Sequence, residues 1–192
     1  ATARPKLRHQ RGAEVEEAIV RRGEAPVAEL EAQWTREAVD RYGTLDSFAP
    51  VEARYVRLRV VNRDDTPHAQ SGYQLDEFEV WTAGSESRNV ALATAGATAA
   101  GPSRVAEDFR DAYSPRLTID GRYGARWIAA GAELTITLAR PERIERVVFS
   151  SDRSQAVGRD HHTPTFVGDY RLEVSLDGET WTPEGGSAAR KP

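Results

Sequence analysis

The sequence predicts an antiparallel β-sandwich, and three observations lead to it. Residues 117–181 contain three segments in which apolar and polar residues alternate, among them LTITLARPERIERVVFS and YRLEVSLDGETW. The same alternation occurs earlier, in VEARYVRLRVVN and LDEFEVW. Each segment is bounded by Gly, Pro, Asn or Asp, which favour turns. Alternation with period two places one face of each strand against a core, so these segments are expected to form packed sheets.

Composition restricts the classes of protein to which the chain can belong. It has 192 residues, a formal net charge of -4 and no cysteine. This length suits one well-buried domain with an appendage, and the lack of cysteine excludes disulfides, thiolate metal sites and a cysteine nucleophile. Acidic and basic residues are interspersed, so no basic stripe predicts a nucleic-acid partner. No apolar run approaches the roughly 20 residues that span a bilayer, so a soluble chain is expected.

The first quarter of the chain is predicted to be a basic tail followed by helices. Residues 1–12 have no apolar period, whereas residues 13–42 are rich in Ala, Glu, Arg and Leu, which favour helices. Gly23 and Pro26 divide this stretch, so two helices are expected rather than one. The second helix covers about residues 27–42 and packs on its own domain or on a neighbour. Its apolar stripe consists of Leu30, Trp34, Ala38 and Val39.

The absence of methionine and the start at Ala1 lead us to expect a processed piece or a module of a longer polypeptide.

Two alternating segments open the β domain. Residues 51–62 and 75–81 are predicted to pair as a hairpin whose tip is the polar stretch at 62–74. Residues 82–103 are small and polar and are predicted to run irregularly over the edge of the sandwich. A second long polar loop is expected at 151–169, after a strand pair joined by a turn that contains proline.

Four segments in order resemble the discoidin, or coagulation-factor type C, domains. They are RNVALATAGATA, LTIDGRYGARW, LTITLARPERIERVVFSSD and YRLEVSLDGETWTP. The shared pattern is an Asn-led segment, an Asp-Gly loop that ends in Trp, a strand pair around a Pro-containing turn, and a strand that closes on Asp-Gly-x-x-Trp. The resemblance implies an all-β, galactose-binding-like jelly roll of about eight strands at residues 47–192, preceded by the tail and helical segment at residues 1–46.

The order of the strands departs from that family. ARYVRLRVVN and LDEFEVW look like its last two strands, yet here they come first, within residues 53–81. Either the domain is circularly permuted or this pair is the tail of a preceding copy. Permutation is favoured, because a jelly roll without these strands would have an open edge. It requires residues 53–81 to share a core with residues 134–181. A similar order occurs in discoidin-like segments of large planctomycete-type proteins that also carry cytochrome c domains.

The resemblance also implies a structural calcium ion beside the Asp-Gly loop. Carried over by position, its ligands are the carboxylates of Asp120 and Glu77 and the main-chain carbonyls of Leu117, Arg122 and Asp76. Such hard oxygen ligands suit calcium, which takes six to eight of them. Alternatively, Asp120 caps a turn and Glu77 pairs with an arginine. Arg122 replaces a small polar residue and adds repulsion.

Sugar sites in this fold lie among loops at one end of the barrel. They combine an aromatic face with polar side chains that hydrogen-bond hydroxyl groups. The candidates are His68 and Tyr73 in the first loop, Arg122, Tyr123 and Arg126 in the second, and Arg153, Arg159, Asp160, His161 and His162 in the third. The arginines favour an acidic or sulfated glycan. The alternative is that these side chains only keep the loops solvated.

A histidine pair and three tryptophans suggest a metal site and sugar platforms, which their positions do not favour. His161 and His162 are adjacent and would point apart in an extended loop, so a metal site there would need a third ligand from elsewhere. Tryptophans at strand ends are expected to pack in the core or at its rim rather than to cover sugars; they are Trp81, Trp127 and Trp181.

These observations together predict a non-catalytic carbohydrate-binding module. The alternative is a domain that docks on a partner protein, a parent enzyme or a cytochrome domain. Enzymatic activity is the third option, since no spacing identifies the two opposed carboxylates that glycoside hydrolysis needs. An extracytoplasmic location follows from the resemblance alone.

Overall fold

The computed structural model of the protein describes residues 36–60, 73–153 and 167–190. Most of the predicted helical segment lies outside these ranges. Its last part, residues 36–42, is described and is not helical: it contains an isolated bridge from Arg36 to Arg190 and a turn. In this part the prediction of a helix is wrong.

Strands dominate the described residues. They are β1 (Thr44–Val60), β2 (Gln74–Leu75), β3 (Glu77–Thr82), β4 (Thr98–Ala100), β5 (Trp127–Ile128), β6 (Glu133–Ser150), β7 (Tyr170–Ser175) and β8 (Thr182–Gly186). Three short 3₁₀ helices accompany them: η1 (Ala93–Ala95), η2 (Pro115–Ile119) and η3 (Ser187–Ala189). Among the described residues, no helix has the length and apolar character needed to cross a bilayer. The predicted all-β character is confirmed.

The predicted hairpin between β1 and β3 does not form. The large sheet has the order β3-β6-β1-β7-β8, with β4 also paired to β6, so β6 lies between the two strands and is antiparallel to both. Alternation identified both strands, but it carries no information about the partner. A connection as long as residues 61–73 imposes no register, unlike a tight two-residue turn.

The proline turn predicted between two strands is also absent, because β6 is one continuous strand with a bulge. The register with β1 shifts between Ala53 and Tyr55, and this leaves residues 138–141 of β6 opposite Arg54 alone. Pro141 lies in the bulge, where a residue without an N–H group is tolerated. The bulge divides the sheet into two halves. In one half, the first part of β6 pairs with β4 and with the end of β1. In the other half, the second part of β6 pairs with β3 and with the start of β1.

The two halves enclose one core. Phe149 stacks on Phe78 with ring centroids 6.3 Å apart, and both rings belong to the half that contains β3. The edge of Tyr170, from β7 in the other half, meets Phe149 at 5.0 Å. Buried residues of both halves form one cluster, so the predicted shared interior of residues 53–81 and 134–181 is present. This is a sandwich-like arrangement of antiparallel strands.

The segment LTIDGRYGARW is not a long strand, contrary to the alternation. It forms η2, an exposed loop and then the short β5, which pairs with β2. Trp127 at its end is fully buried, with its Nε1 donating to Ser103 Oγ at 3.0 Å and its ring meeting the edge of Tyr73 at 5.3 Å. The predicted packing role of Trp127 is confirmed.

A buried charged network joins the two ends of the described chain. The carboxylate of Asp46 in β1 accepts hydrogen bonds from Tyr170 Oη at 2.6 Å and Arg190 Nη2 at 2.9 Å, and it also pairs with Arg36. Arg190 donates further to the carbonyls of Leu45 and Glu37. Burial, followed by the charge of Asp46, raises the pKa of the Tyr170 hydroxyl. Because Arg190 is buried, it depends on the carboxylate of Asp46 for a counter-charge.

We expect Asp46→Asn to lower the free energy of unfolding by about 3–5 kcal/mol, because it leaves Arg190 buried without its carboxylate. Urea denaturation followed by circular dichroism measures the change. The matched control is Glu133→Gln, which breaks the exposed pair between Arg59 and Glu133 and should cost less than about 1 kcal/mol. Equal losses in the two variants would show that the network does not hold the chain ends.

Candidate functional site

Several of the predicted site residues that the structure describes lie close together, namely Asp76, Glu77, Asp120, Tyr123 and Arg153. Three segments converge there: the loop after η2, the start of β3 and the residues that follow β6. Asp76 connects two of them, since its main-chain N–H donates to the Ser150 carbonyl at 2.9 Å and its Oδ2 accepts from the N–H of Arg153 at 2.6 Å. Asp76 also accepts from Ser150 Oγ, so its buried side chain fixes the exit of the chain from β6.

Arg153 connects the third segment. Its guanidinium pairs with Glu79 of β3 and donates to Tyr123 Oη at 3.2 Å. It also lies over the Tyr123 ring, with Cζ 5.2 Å from the ring centroid. Tyr123 is 54% exposed, so Arg153 covers part of the ring and leaves the rest open to solvent.

Arg126 is held by the residue that precedes Arg153. Its Nη2 donates to Asp152 Oδ1 at 2.9 Å, and the carboxylate of Asp152 is buried. The N–H groups of Ser151 and Asp152 donate to the carbonyl of Arg41 at 2.8 and 3.0 Å. The segment that precedes β1 therefore holds the main chain at Asp152 in place, and with it the pair of Arg126 and Asp152.

Asp120 and Gly121 shape the loop that carries Tyr123. Asp120 Oδ1 accepts from the N–H of Arg122 at 2.8 Å, which is the turn-capping role considered for this residue. Gly121 has a φ of 73°, in the left-handed region that favours glycine. A Cβ there would lie 3.3 Å from Leu92 Cδ2, so both conformation and space favour glycine in this turn.

Glu77 is the unusual group of the site. It is buried, and its Oε2 has no hydrogen-bond partner among the described residues. Burial raises the pKa of its carboxyl to about 8, and the charges of Asp120, Glu79 and Asp76 add to this effect while Arg153 opposes it. At neutral pH, without a cation, Glu77 is therefore mostly protonated.

The donor set at Glu77 and Asp120 fits a hard cation. Two carboxyl groups whose charges repel each other would be relieved by a positive ion, and the unpartnered Glu77 oxygen is a ligand of the type that calcium takes. In the described ranges, no three Asp, Glu or His side chains form a metal-binding group. Main-chain carbonyls would therefore have to supply the remaining ligands, as predicted for Leu117, Arg122 and Asp76.

The charges of the described site leave no positive surplus. The carboxyl groups belong to Asp76, Glu77, Glu79, Asp120 and Asp152, and the guanidinium groups to Arg122, Arg126 and Arg153. Even with Glu77 protonated, the site has four carboxylates and three guanidiniums. Two of the guanidiniums, those of Arg126 and Arg153, already form ion pairs. This arrangement suits a neutral ligand or a cation better than an anion.

Tyr73 lies away from the open part of the site. Its ring is 2% exposed and packs in the core against Trp127, so in this position it cannot cover the face of a sugar. The apolar environment of β2 and β5 explains why this aromatic residue turned inward rather than toward the loop. The other predicted ligand-binding residues lie outside the described ranges: His68, Arg159, Asp160, His161 and His162.

Two contributors to the site were missed in the sequence. Glu79 and Asp152 anchor Arg153 and Arg126. The alternation in LDEFEVW does place Glu79 on the outer face of β3, so its position on that face could have been predicted. The partners of the two arginines could not, because they are 74 and 26 residues away in sequence.

A comparison of the chain with protein-family models, with curated proteins and with solved structures finds no match. What this site can do is therefore inferred from its own residues.

The raised pKa of Glu77 predicts a pH-dependent stability in the absence of divalent cations. The unfolded chain releases this proton near pH 4.5, whereas the folded protein keeps it to about pH 8. The contribution of Glu77 to the free energy of unfolding is therefore fully present below about pH 4.5 and is lost as the pH rises to about 8.

Urea denaturation in a chelator at pH 5 and pH 8 should show this loss of stability, and Glu77→Gln should reduce the loss because Gln does not ionise. Glu133→Gln serves as the exposed control. An unchanged pH dependence in Glu77→Gln would refute the assignment.

Proposed function

We propose that this protein is a non-catalytic carbohydrate-binding module in which Tyr123 covers the apolar face of a sugar ring. The observation that carries the proposal is the half-exposed Tyr123 ring, held by Arg153, whose guanidinium also pairs with Glu79. An aromatic face surrounded by hydrogen-bonding groups is what a pyranose requires. The surrounding ion pairs orient this face before a ligand arrives, which lowers the entropic cost of binding.

The proposed ligand is a neutral sugar rather than the acidic glycan that the arginine content favours. Arg153 is paired with Glu79, and Arg126 is paired with Asp152. An acidic sugar would have to compete with these carboxylates for the same guanidinium groups. A neutral sugar can instead accept hydrogen bonds from the remaining N–H donors of the guanidiniums and donate to the carboxylates.

A structural calcium ion forms part of the proposal. Asp120 and Glu77 would hold it with the carbonyls of Leu117, Arg122 and Asp76, and its role would be to fix the turn from which Tyr123 projects. Support comes from the buried oxygen of Glu77, which has no partner in the part of the chain that the structure describes, and from the charge of Asp120.

The resemblance to discoidin domains supports the same function and adds context. It suggests a permuted jelly roll that serves as an accessory module of a larger extracytoplasmic protein. Such domains recognise ligands without catalysing a reaction, which agrees with the proposed role of Tyr123.

Docking on a partner protein is the second candidate, and one surface favours it. The outer face of the β3 half of the sheet carries Leu45, which is 48% exposed, beside Val148 and Trp81. The guanidinium of Arg146 lies 4.8 Å from the centroid of the Trp81 ring. Tryptophan and arginine beside aliphatic residues are typical of interface centres.

For the sugar site, we expect Tyr123→Ala to reduce the retardation of the protein in affinity electrophoresis on neutral polysaccharides by roughly fivefold or more, because the stacking surface is lost. Tyr123→Phe keeps the ring and should retain most of the binding. Phe109→Ala removes another exposed aromatic ring, in the loop between β4 and η2, and should bind as the unchanged protein does.

Acidic and neutral polysaccharides are compared in the same experiment. Stronger retardation on the acidic gels would contradict a neutral ligand. No retardation on any gel would exclude the sugar site and favour the docking surface around Trp81.

For calcium, we expect the melting temperature to rise by several degrees on its addition and to fall again with EDTA. An ion at 100 times its dissociation constant adds about 2.7 kcal/mol to stability. Asp120→Ala should abolish the response, whereas Asp108→Ala, at an exposed position in another loop, should keep it. A full response in Asp120→Ala would place the ion elsewhere.

A further inference from the structure

A groove of about 350 Å³ lies on the side of the sandwich, at the bulge of β6. Its lining residues are Arg88, Val90, Ala95, Leu138, Ala139, Arg140 and Glu142. The bulge contributes Leu138, Ala139 and Arg140, the position after it contributes Glu142, and the chain between β3 and β4 contributes the others. The groove contains no residue of the proposed sugar site, so it constitutes a separate surface.

Two exposed arginines are held at the rim by one carboxylate. Arg88 Nη2 lies 2.9 Å from both carboxylate oxygens of Glu142, and Arg140 Nε lies 2.9 Å from Oε1. The side chains of Arg88 and Arg140 are 52% and 72% exposed, whereas that of Glu142 is 16% exposed. The carboxylate therefore fixes the two guanidiniums while most of their surface remains open to solvent.

The rim has a surplus of positive charge, unlike the Tyr123 site. Two guanidiniums face a single carboxylate, so one positive charge is not balanced within the lining. Each guanidinium has five N–H donors, and Glu142 occupies only some of them. Guanidiniums in fixed positions are well suited to bind a second carboxylate through two hydrogen bonds.

The floor of the groove is aliphatic and closely packed. Val90 and Leu138 are buried beneath it, and the methyl groups of Ala95 and Ala139 form its walls. Gly96 ends η1 with a φ of 89°, and a Cβ there would lie 3.1 Å from Ala139 Cβ. The small residues let η1 approach the bulge and leave room for a compact ligand body above the floor.

We propose that this groove binds a compact organic carboxylate whose body is no larger than one sugar ring. The carboxylate contacts Arg88 and Arg140, and the body lies on the aliphatic floor. The volume is near the lower end of the range for ligand pockets, and the rim is open, so weak affinity is expected. This site does not depend on the proposed sugar site at Tyr123.

The test uses glucuronate and its neutral counterpart glucose as probes, with acetate as a carboxylate that lacks a ring. Each is titrated into the ¹⁵N-labelled protein, and amide shifts are followed by NMR. We expect glucuronate to shift the amides of Ala95, Leu138 and Ala139, and glucose to leave them unchanged. Acetate binding as tightly as glucuronate would assign the site to small organic acids; weaker acetate binding would assign it to uronic acids.

Substitutions locate the binding. Arg88→Ala and Arg140→Ala should each weaken glucuronate binding at least tenfold and, as exposed residues, leave the circular dichroism spectrum unchanged. Arg143→Ala removes an exposed arginine adjacent to Glu142 in sequence that does not line the groove, and it should have little effect.

Three results would overturn the proposal: equal shifts with glucose and glucuronate, no shift with glucuronate or acetate, or an equal loss of affinity in Arg143→Ala. Shifts confined to the amides around Tyr123 would refute the groove and leave the sugar site standing.

Discussion

The bulge in β6 is the constraint on which the arrangement of both surfaces depends. A strand of 18 residues that stayed regular would keep one flat sheet, which cannot enclose a core by itself. The extra residues at 138–141 let β6 pair with β4 in its first half and with β3 in its second. Arg153 follows the end of the second half of β6 and so lies in the loop site. The bulge itself supplies Arg140 to the groove, and Glu142 follows directly after it.

Two of the buried carboxyl groups among the described residues, those of Asp46 and Glu77, have opposite environments. Asp46 is surrounded by Arg190, Arg36 and Tyr170, so its burial is compensated by partners. Glu77 has acidic neighbours and an oxygen without a partner among the described residues. Stability alone does not explain such a group, since a neutral side chain of the same shape would avoid the desolvation cost. Groups of this kind concentrate at functional sites.

The sequence predicted the strands better than their partners, and the reason is physical. Alternation reports which face of a strand is buried, and it identified β1, β3 and β7 from local pattern alone, whereas it predicted β6 as two strands rather than one. Partner choice is a property of the folded core, so β6 could insert between the expected hairpin strands without any local signal. The inward position of Tyr73 has the same origin, because no loop pattern reveals that Trp127 lies beside it.

For charge, the structure adds most to what composition predicts, because an arginine binds an anion only with the donors that its own carboxylates leave free. Arg126 and Arg153 lie in the loops where an acidic ligand was expected, yet each is paired with a carboxylate beside the equally acidic Glu77. Among the described residues, a surplus of positive charge lies instead at Arg88 and Arg140, which share one glutamate beside a strand bulge. Since the attraction of a site for an anion depends on its net local charge, the two surfaces should select differently. The loops should hold a neutral sugar or a cation, and the groove should hold the carboxylate.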